Sequence, residues 1–313
     1  MHDYEALVQR LTGATSWRAA RVQSLWGGYG EILRLELDGA KMAGEHVASL
    51  IVKRVGPPAA ASSASAASRR SHERKLRSYD IELTFYSRFA SSLTMARVPR
   101  LWAGERSAQG WIFVLEDLDA AGFARRPFRL EDVEVTACIR WLAGFHAHFL
   151  GEEPTSLWKV GTYWHLATRP DELAQLRDPI LRRAAPVIDA RLSAARHRTF
   201  VHGDAKLENF CFSRAKSGDV AAVDFQYVGG GVGVKDLAYL LCCSSPRQRS
   251  SRAWVDVYFD ELRRAWARVL ETRGATSPAV DFGELEREWR ELFPFAVADF
   301  HRFLSGWAGE EAA

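Results

Sequence analysis

The chain has 313 residues, 47% of them hydrophobic and 26% charged, which excludes a disordered, collagen-like or membrane-spanning chain and allows a core large enough for two lobes. Lys and Arg number 42 against 39 Asp and Glu, a net charge of +3, too balanced for nucleic acid or an anionic membrane to be the main partner. The four cysteines form no CxxC pair, and Met1 to Glu5 lack the basic-then-apolar order of a signal peptide, so the sequence reads as a cytoplasmic protein with reduced, mostly buried thiols.

A short helix opens the chain and strands follow. Trp26-Gly27-Gly28-Tyr29-Gly30 is a glycine-rich turn between two of them. Leu33, Leu35 and Leu37 alternate with Arg34, Glu36 and Asp38, the period of a half-buried strand. Val47 to Val55 and Trp111 to Glu116 are apolar runs of strand length. Between them, Pro57 to Ser68 is nearly free of large side chains and reads as a surface loop. Leu76, Tyr79, Leu83, Tyr86 and Ala90 then recur every three or four residues, predicting an amphipathic helix. Cys138, Trp141, Leu142, Phe145 and Phe149 mark another, and two more are expected over 250–272 and 282–307. A β-rich island over Thr199 to Asp224 interrupts the helices. The expected fold is α+β and two-lobed, a small β-rich lobe over 1–118 and a larger, mainly helical lobe over 119–313.

The island carries the chemistry. It contains Val201-His202-Gly203-Asp204-Ala205-Lys206-Leu207-Glu208-Asn209, then Ala222-Val223-Asp224-Phe225-Gln226. Asp204, Asn209 and Asp224 can meet at one point if a hairpin turning at Gly218-Asp219 separates them. Phosphoryl transfer uses such a set: a carboxylate to accept a hydroxyl proton, with an amide and a second carboxylate as hard oxygen ligands for Mg²⁺. The alternative is that both aspartates merely cap strands and turns.

This HGDxxxxN segment followed by Asp-Phe-Gln resembles the aminoglycoside phosphotransferase and choline kinase superfamily, relatives of the protein kinases. The ecdysteroid-kinase-like branch is the nearer resemblance, through Val98-Pro99-Arg100, Leu115-Glu116-Asp117-Leu118 with Gly122-Phe123, and Lys235-Asp236-Leu237-Ala238-Tyr239. The resemblance implies a protein-kinase-like fold, ATP and Mg²⁺, and a small-molecule hydroxyl as acceptor. It makes Asp204 the catalytic base and Asn209 and Asp224 the metal ligands, and it places Lys206 beside the transferring phosphate. Asp236 would pin the backbone of the catalytic loop.

The upstream pieces fit the same frame. Gly27, Gly28 and Gly30 would let backbone N–H groups approach phosphates, although a plain hairpin would look alike. Lys53 is the lysine of the apolar strand Leu50-Ile51-Val52-Lys53, and a buried lysine requires a carboxylate. Glu73 and Glu82 compete for it; the apolar stripe centres about 70° from Glu82 and about 110° from Glu73, which favours Glu82. Leu115, Glu116, Asp117 and Leu118 would form a hinge whose backbone pairs with adenine.

Other signals are set aside. Asp281-Phe282-Gly283 spells the kinase metal motif but opens a helix, where its Asp reads as a cap. His146 and His148 point apart on one helix and cannot clamp a metal. No GxxxxGK[ST] P-loop occurs. Only 12 residues separate Asp224 from Asp236, too few for the peptide platform of a protein kinase, and the intact residue set argues against a pseudokinase scaffold. The acceptor could be a sterol-like alcohol, a choline-like cation or an aminoglycoside. The tryptophans of the second half read mainly as core, or in part as an apolar or cation-binding acceptor pocket, and Glu284 to Glu291 as a solvated helix face.

Overall fold

The computed structural model describes residues 4–14, 16–38, 40–42, 44–58, 65–215, 218–243, 252–273 and 280–311. Its contacts divide the chain into two compact units, one of residues up to 92 with 98–125, the other of 93–97 with 126 onward. The fold is α+β, with a sheet in the N-terminal part and helices in the C-terminal part.

The first unit begins with α1 (Tyr4–Thr12) and continues through β1 (Trp17–Ser24), β2 (Gly30–Leu37), β3 (Lys41–Met42), β4 (Glu45–His46), β5 (Ser49–Val55), α2 (Ala66–Arg88), β6 (Leu101–Ser107) and β7 (Gly110–Glu116). Five strands form one antiparallel sheet in the order β1-β2-β5-β7-β6. The alternation in β2 does what period two requires: Leu33, Leu35 and Leu37 join Leu50, Val52, Ile112 and Val114 in a core closed by Leu7 and Val8 of α1. Of the three inner strands, β5 and β7 also bury residues of the opposite parity, including Lys53 and Phe113. This explains why they read as continuous apolar runs.

Two expectations need correction here. The loop expected over Pro57 to Ser68 ends sooner: residues 59–64 lie outside the described residues, and α2 already begins at Ala66. Ser65 supplies the reason, since its Oγ accepts the N–H of Ser68 at 3.1 Å as an N-cap, and alanine is the best helix former. The buried face of α2 is also rotated. Ser78, Tyr79, Ile81, Glu82, Phe85 and Tyr86 are buried, while Leu76 and Leu83 are only half-buried. The true face includes a carboxylate, which a purely apolar stripe leaves out.

Beyond β7 the first unit continues past 118 to Arg125. A turn folds back there, with Ala121 N–H donating to Asp117 O (3.0 Å) and Phe123 N–H to Leu118 O (2.8 Å). Arg34 of β2 holds the carboxylates of both Asp117 and Asp119.

The second unit contains α3 (Asp132–His148), α4 (Pro170–Gln175), α5 (Pro179–Ser193), β8 (Thr199–Val201), β9 (Phe210–Phe212), β10 (Val220–Ala222), β11 (Gly229–Gly231), α6 (Val234–Cys243), α7 (Arg252–Arg273) and α8 (Phe282–Glu311). The β island is two ribbons rather than one, β9 with β10 and β8 with β11. β11 lies past the expected end of the island because glycine is a poor strand former. Its glycines are needed for close approach: a Cβ on Gly229 would stand 2.2 Å from the carbonyl oxygen of Trp158. The α3 stripe is core throughout; Trp141 stacks on Phe145 at 5.2 Å and meets Phe210 edge-on. Among the described residues, no helix is long and apolar enough to cross a membrane.

Candidate active site

β8 delivers the chain into His202-Gly203-Asp204. Gly203 has φ +81°, and a Cβ there would lie 2.2 Å from the carbonyl oxygen of Tyr227, so the sharp exit requires glycine. Asp236, in the first turn of α6, accepts the N–H groups of His202 (2.6 Å) and Gly203 (3.0 Å). The His202 ring completes the brace: Nδ1 accepts the N–H of Asp204 (3.2 Å) and Nε2 donates to Val223 O (3.0 Å), which defines its tautomer. His146 is a packing histidine, buried between Tyr258 (2.9 Å) and Asp236 (3.1 Å).

Asp204 is buried, and each carboxylate oxygen has partners. Asn209 Nδ2 donates to Oδ2 at 3.0 Å and Lys206 Nζ lies 3.4 Å from it, while the hydroxyl of Tyr239 donates to Oδ1 at 3.2 Å. Burial pushes the Asp204 carboxyl above the usual range, and the charge of Asp224 adds to this; Lys206 and Asn209 pull the other way. For Lys206, burial lowers the pKa, but Asp204 and Asp224 outweigh it, so the ammonium is held in its charged form.

Asn209 closes a 3-10 turn, Leu207–Asn209, and also donates Nδ2 to Asp204 O at 2.7 Å. Its carbonyl accepts the N–H of Val223 at 2.9 Å, tying this turn to the segment that carries Asp224. Asp224 has φ +69°, a left-handed conformation uncommon for a residue with a side chain. Its Oδ1 is buried without a hydrogen-bond partner. A bare buried carboxylate oxygen is costly, and a cation is what offsets it.

The first unit holds a separate constellation. Lys53 Nζ and Glu82 Oε2 form an ion pair of 2.6 Å, both residues buried. The ammonium lies 5.5 Å from the ring centroid of Tyr79 and 5.7 Å from that of Phe113. Glu73 is exposed. Trp26–Gly28 form a 3-10 turn with φ +70° at Gly27 and +73° at Gly28. Gly30, the first residue of β2, lies against β5 so closely that a Cβ would stand 2.0 Å from Arg54 O.

In the expected hinge, Leu115, Asp117 and Leu118 are buried, and Glu116 exchanges contacts with Arg100: its N–H donates to Arg100 O (2.9 Å) and its Oε2 accepts the Arg100 N–H (3.0 Å). The Asp117 side chain, for which the sequence offered no role, is a clamp. It accepts Arg34 Nε and Ser49 Oγ, each at 2.7 Å, and the N–H of Asp119 at 3.0 Å.

Over residues 43–275 the sequence matches the phosphotransferase enzyme family. The chain belongs to that family. The matched span contains Lys53, Glu82, the 115–118 segment and the Asp204–Asp224 region, and it begins after the glycine turn. No curated protein matches the sequence. Among solved structures, the ethanolamine kinase of Plasmodium vivax shares the fold, with a TM-score of 0.50 and 12% identity over 94% of this chain and 81% of that one. An aminoglycoside-3'-phosphotransferase of type VIII aligns with 16% identity and a TM-score of 0.49 over 94% and 100% of the two chains. An aminoglycoside phosphotransferase from Streptomyces rimosus, solved with ADP and streptomycin, aligns with 17% identity and a TM-score of 0.46 over 95% and 99%.

Sequence reasoning about this phosphotransferase missed Tyr239 and Tyr163, whose hydroxyls lie 3.4 Å apart beside Asp204. One signal was available: Tyr239 follows Asp236 by three residues and so shares its helix face. Asp281 caps α8, its Oδ1 accepting the N–H groups of Gly283 (2.8 Å) and Glu284 (3.1 Å). The glutamates of α8 are engaged as well, Glu286 with Arg263 and Arg290 and Glu288 with the 196–197 backbone and His197.

Proposed function

We propose that the protein is an ATP- and Mg²⁺-dependent small-molecule kinase that transfers the γ-phosphoryl group to a substrate hydroxyl, of the ecdysteroid-kinase-like branch and cytoplasmic. The observation that carries this reading is the pairing of a braced, buried Asp204 with an Asp224 whose buried Oδ1 has no partner.

The donor set fits a hard divalent cation. Asp224 offers an anionic oxygen, and Asn209 spends its Nδ2 on Asp204, leaving its amide oxygen unspent by either bond. No group of three or more His, Cys, Asp or Glu side chains gathers as a metal site among the described residues, so phosphate oxygens would complete the coordination. When bound, Mg²⁺ supplies charge neutralisation on the phosphates.

The remaining work belongs to the protein's own groups. Asp204 accepts the proton of the acceptor hydroxyl as its oxygen bonds to the γ-phosphorus and the bond to the ADP oxygen breaks. Lys206, held charged beside Asp204, offers its ammonium to the phosphoryl oxygens. Lys53, oriented by Glu82, donates to phosphate oxygens of the nucleotide, Gly27, Gly28 and Gly30 admit its phosphates near the backbone, and the 115–118 backbone pairs with adenine. The lobe boundary lies near that hinge.

The test is ³¹P NMR of MgATP incubated with the protein and a panel of sterols, amino alcohols and aminoglycosides. A new phosphate-ester resonance accompanied by ADP supports the reading, and intact ATP across the whole panel contradicts it.

A further inference from the structure

We infer that Tyr239 is a positioning residue for the proposed base: its hydroxyl holds the Asp204 carboxylate in its reactive rotamer. This rests on the reading of Asp204 as the base. The carboxylate has three side-chain partners among the described residues. Asn209 belongs to the proposed metal site, and Lys206 is assigned to the phosphoryl group. Both therefore have work at the nucleotide that competes with holding Asp204. Tyr239 alone touches the carboxylate without such a second task.

Its own placement is firm. Tyr239 is 4% exposed, and its ring packs against Phe300 (4.5 Å between centroids), Trp164 (4.9 Å) and Tyr163 (5.8 Å). The hydroxyl lies 3.2 Å from Asp204 Oδ1 and 3.4 Å from the Tyr163 hydroxyl. A phenol has one proton, and a carboxylate accepts it more strongly than another phenol. Asp204 and the Tyr163 oxygen are both within reach of the Tyr239 O–H, so its proton points to the carboxylate, the stronger and nearer acceptor. Burial, followed by the charge of Asp204, keeps Tyr239 protonated, so the donor is permanent.

The geometry also shows how one helix does two jobs. Asp236 in the first turn of α6 fixes the backbone N–H groups of His202 and Gly203, and Tyr239, one turn later on the same face, fixes the side chain that follows them. Backbone and carboxylate are thus referred to a single rigid element, which is what a base needs to meet a hydroxyl in line.

The test uses Tyr239→Phe, which keeps the ring packing and removes only the O–H, together with Asp204→Asn and the double variant. Turnover of MgATP, to water or to the acceptor the panel returns, should fall about tenfold or more in Tyr239→Phe while KM for MgATP stays unchanged. In the Asp204→Asn background the same change should cost no further turnover, because it acts through Asp204. Urea unfolding of the same four proteins reads the hydrogen bond without any activity, and the two substitutions should be non-additive there. Wild-type turnover in Tyr239→Phe, a full further loss in the Asp204→Asn background, or strict additivity in unfolding would each overturn the inference. If unfolding shows coupling but Asp204→Asn turns over normally, Asp204 is not the base, and the catalytic role of Tyr239 falls with that reading while the bond itself stands.

Discussion

Lys53 and Glu82 meet at 2.6 Å in the interior of the first unit, 29 residues apart in sequence and nearly dry. Breaking a buried pair strands a charge, whereas replacing both partners with apolar groups does not. Lys53→Met and Glu82→Leu should each destabilise the fold by about 3–5 kcal/mol, and the double variant should recover most of that loss. For catalysis, Lys53→Ala and Glu82→Ala should each weaken turnover, with a double variant that costs clearly less than the two combined. Additive losses in either measurement would separate the two residues.

The glycine turn contains two kinds of glycine. Gly30 has φ +139°, and its missing Cβ would collide with Arg54 O, whereas Gly28 has φ +73° with open space around it. Gly30→Ala should lower the melting temperature by many degrees with or without nucleotide, since β2 must move away from β5. Gly28→Ala should cost only about 1–2 kcal/mol for its left-handed backbone, with its larger effect on MgATP affinity. Equal stability losses in the two variants would contradict this distinction.

His148, nearly buried at the end of α3, has its Nε2 3.4 Å from Arg273 Nη2. Burial, and then the Arg273 charge, lower its pKa from 6.5 to about 4. A histidine depressed in the fold contributes stability that is fully present above its unfolded pKa and is lost as pH falls through its folded pKa. The window is therefore pH 6.5 down to about 4. Across it, the advantage of the wild type over His148→Gln in melting temperature should shrink steadily, then level off below pH 4. A gap independent of pH would show that His148 does not titrate this way.

The parts of this molecule that were legible in the sequence are those where a local pattern and a tertiary demand agree. β2 announces itself through Leu33, Leu35 and Leu37 because one face of that strand meets water. The helix phase singled out Glu82 over Glu73, and the ion pair is with Glu82, even though the buried face is rotated from the apolar stripe. The strand Gly229–Gly231 was hidden because its residues are chosen for close backbone approach, not for strand propensity. What Asp117 and Tyr239 bond to was hidden for a different reason. Their partners, Arg34 and Asp204, lie 83 and 35 residues away, and no spacing rule reaches that far.

Asp204 and Asp224 should fail in different ways, and isothermal calorimetry of MgATP binding to Asp204→Asn and Asp224→Asn separates them. Asparagine tolerates the left-handed backbone at position 224, so the substitution there removes charge without adding strain. Asp204→Asn should bind MgATP with nearly wild-type affinity while turnover falls about 10²- to 10⁴-fold, the contribution of a general base. Asp224→Asn should lose Mg²⁺-dependent nucleotide affinity as well as turnover, with part of the affinity restored at high Mg²⁺. If Asp204→Asn instead lost nucleotide binding while Asp224→Asn kept it, the two roles would be reversed. If neither variant changed binding or turnover, the protein would not be a kinase of this mechanism.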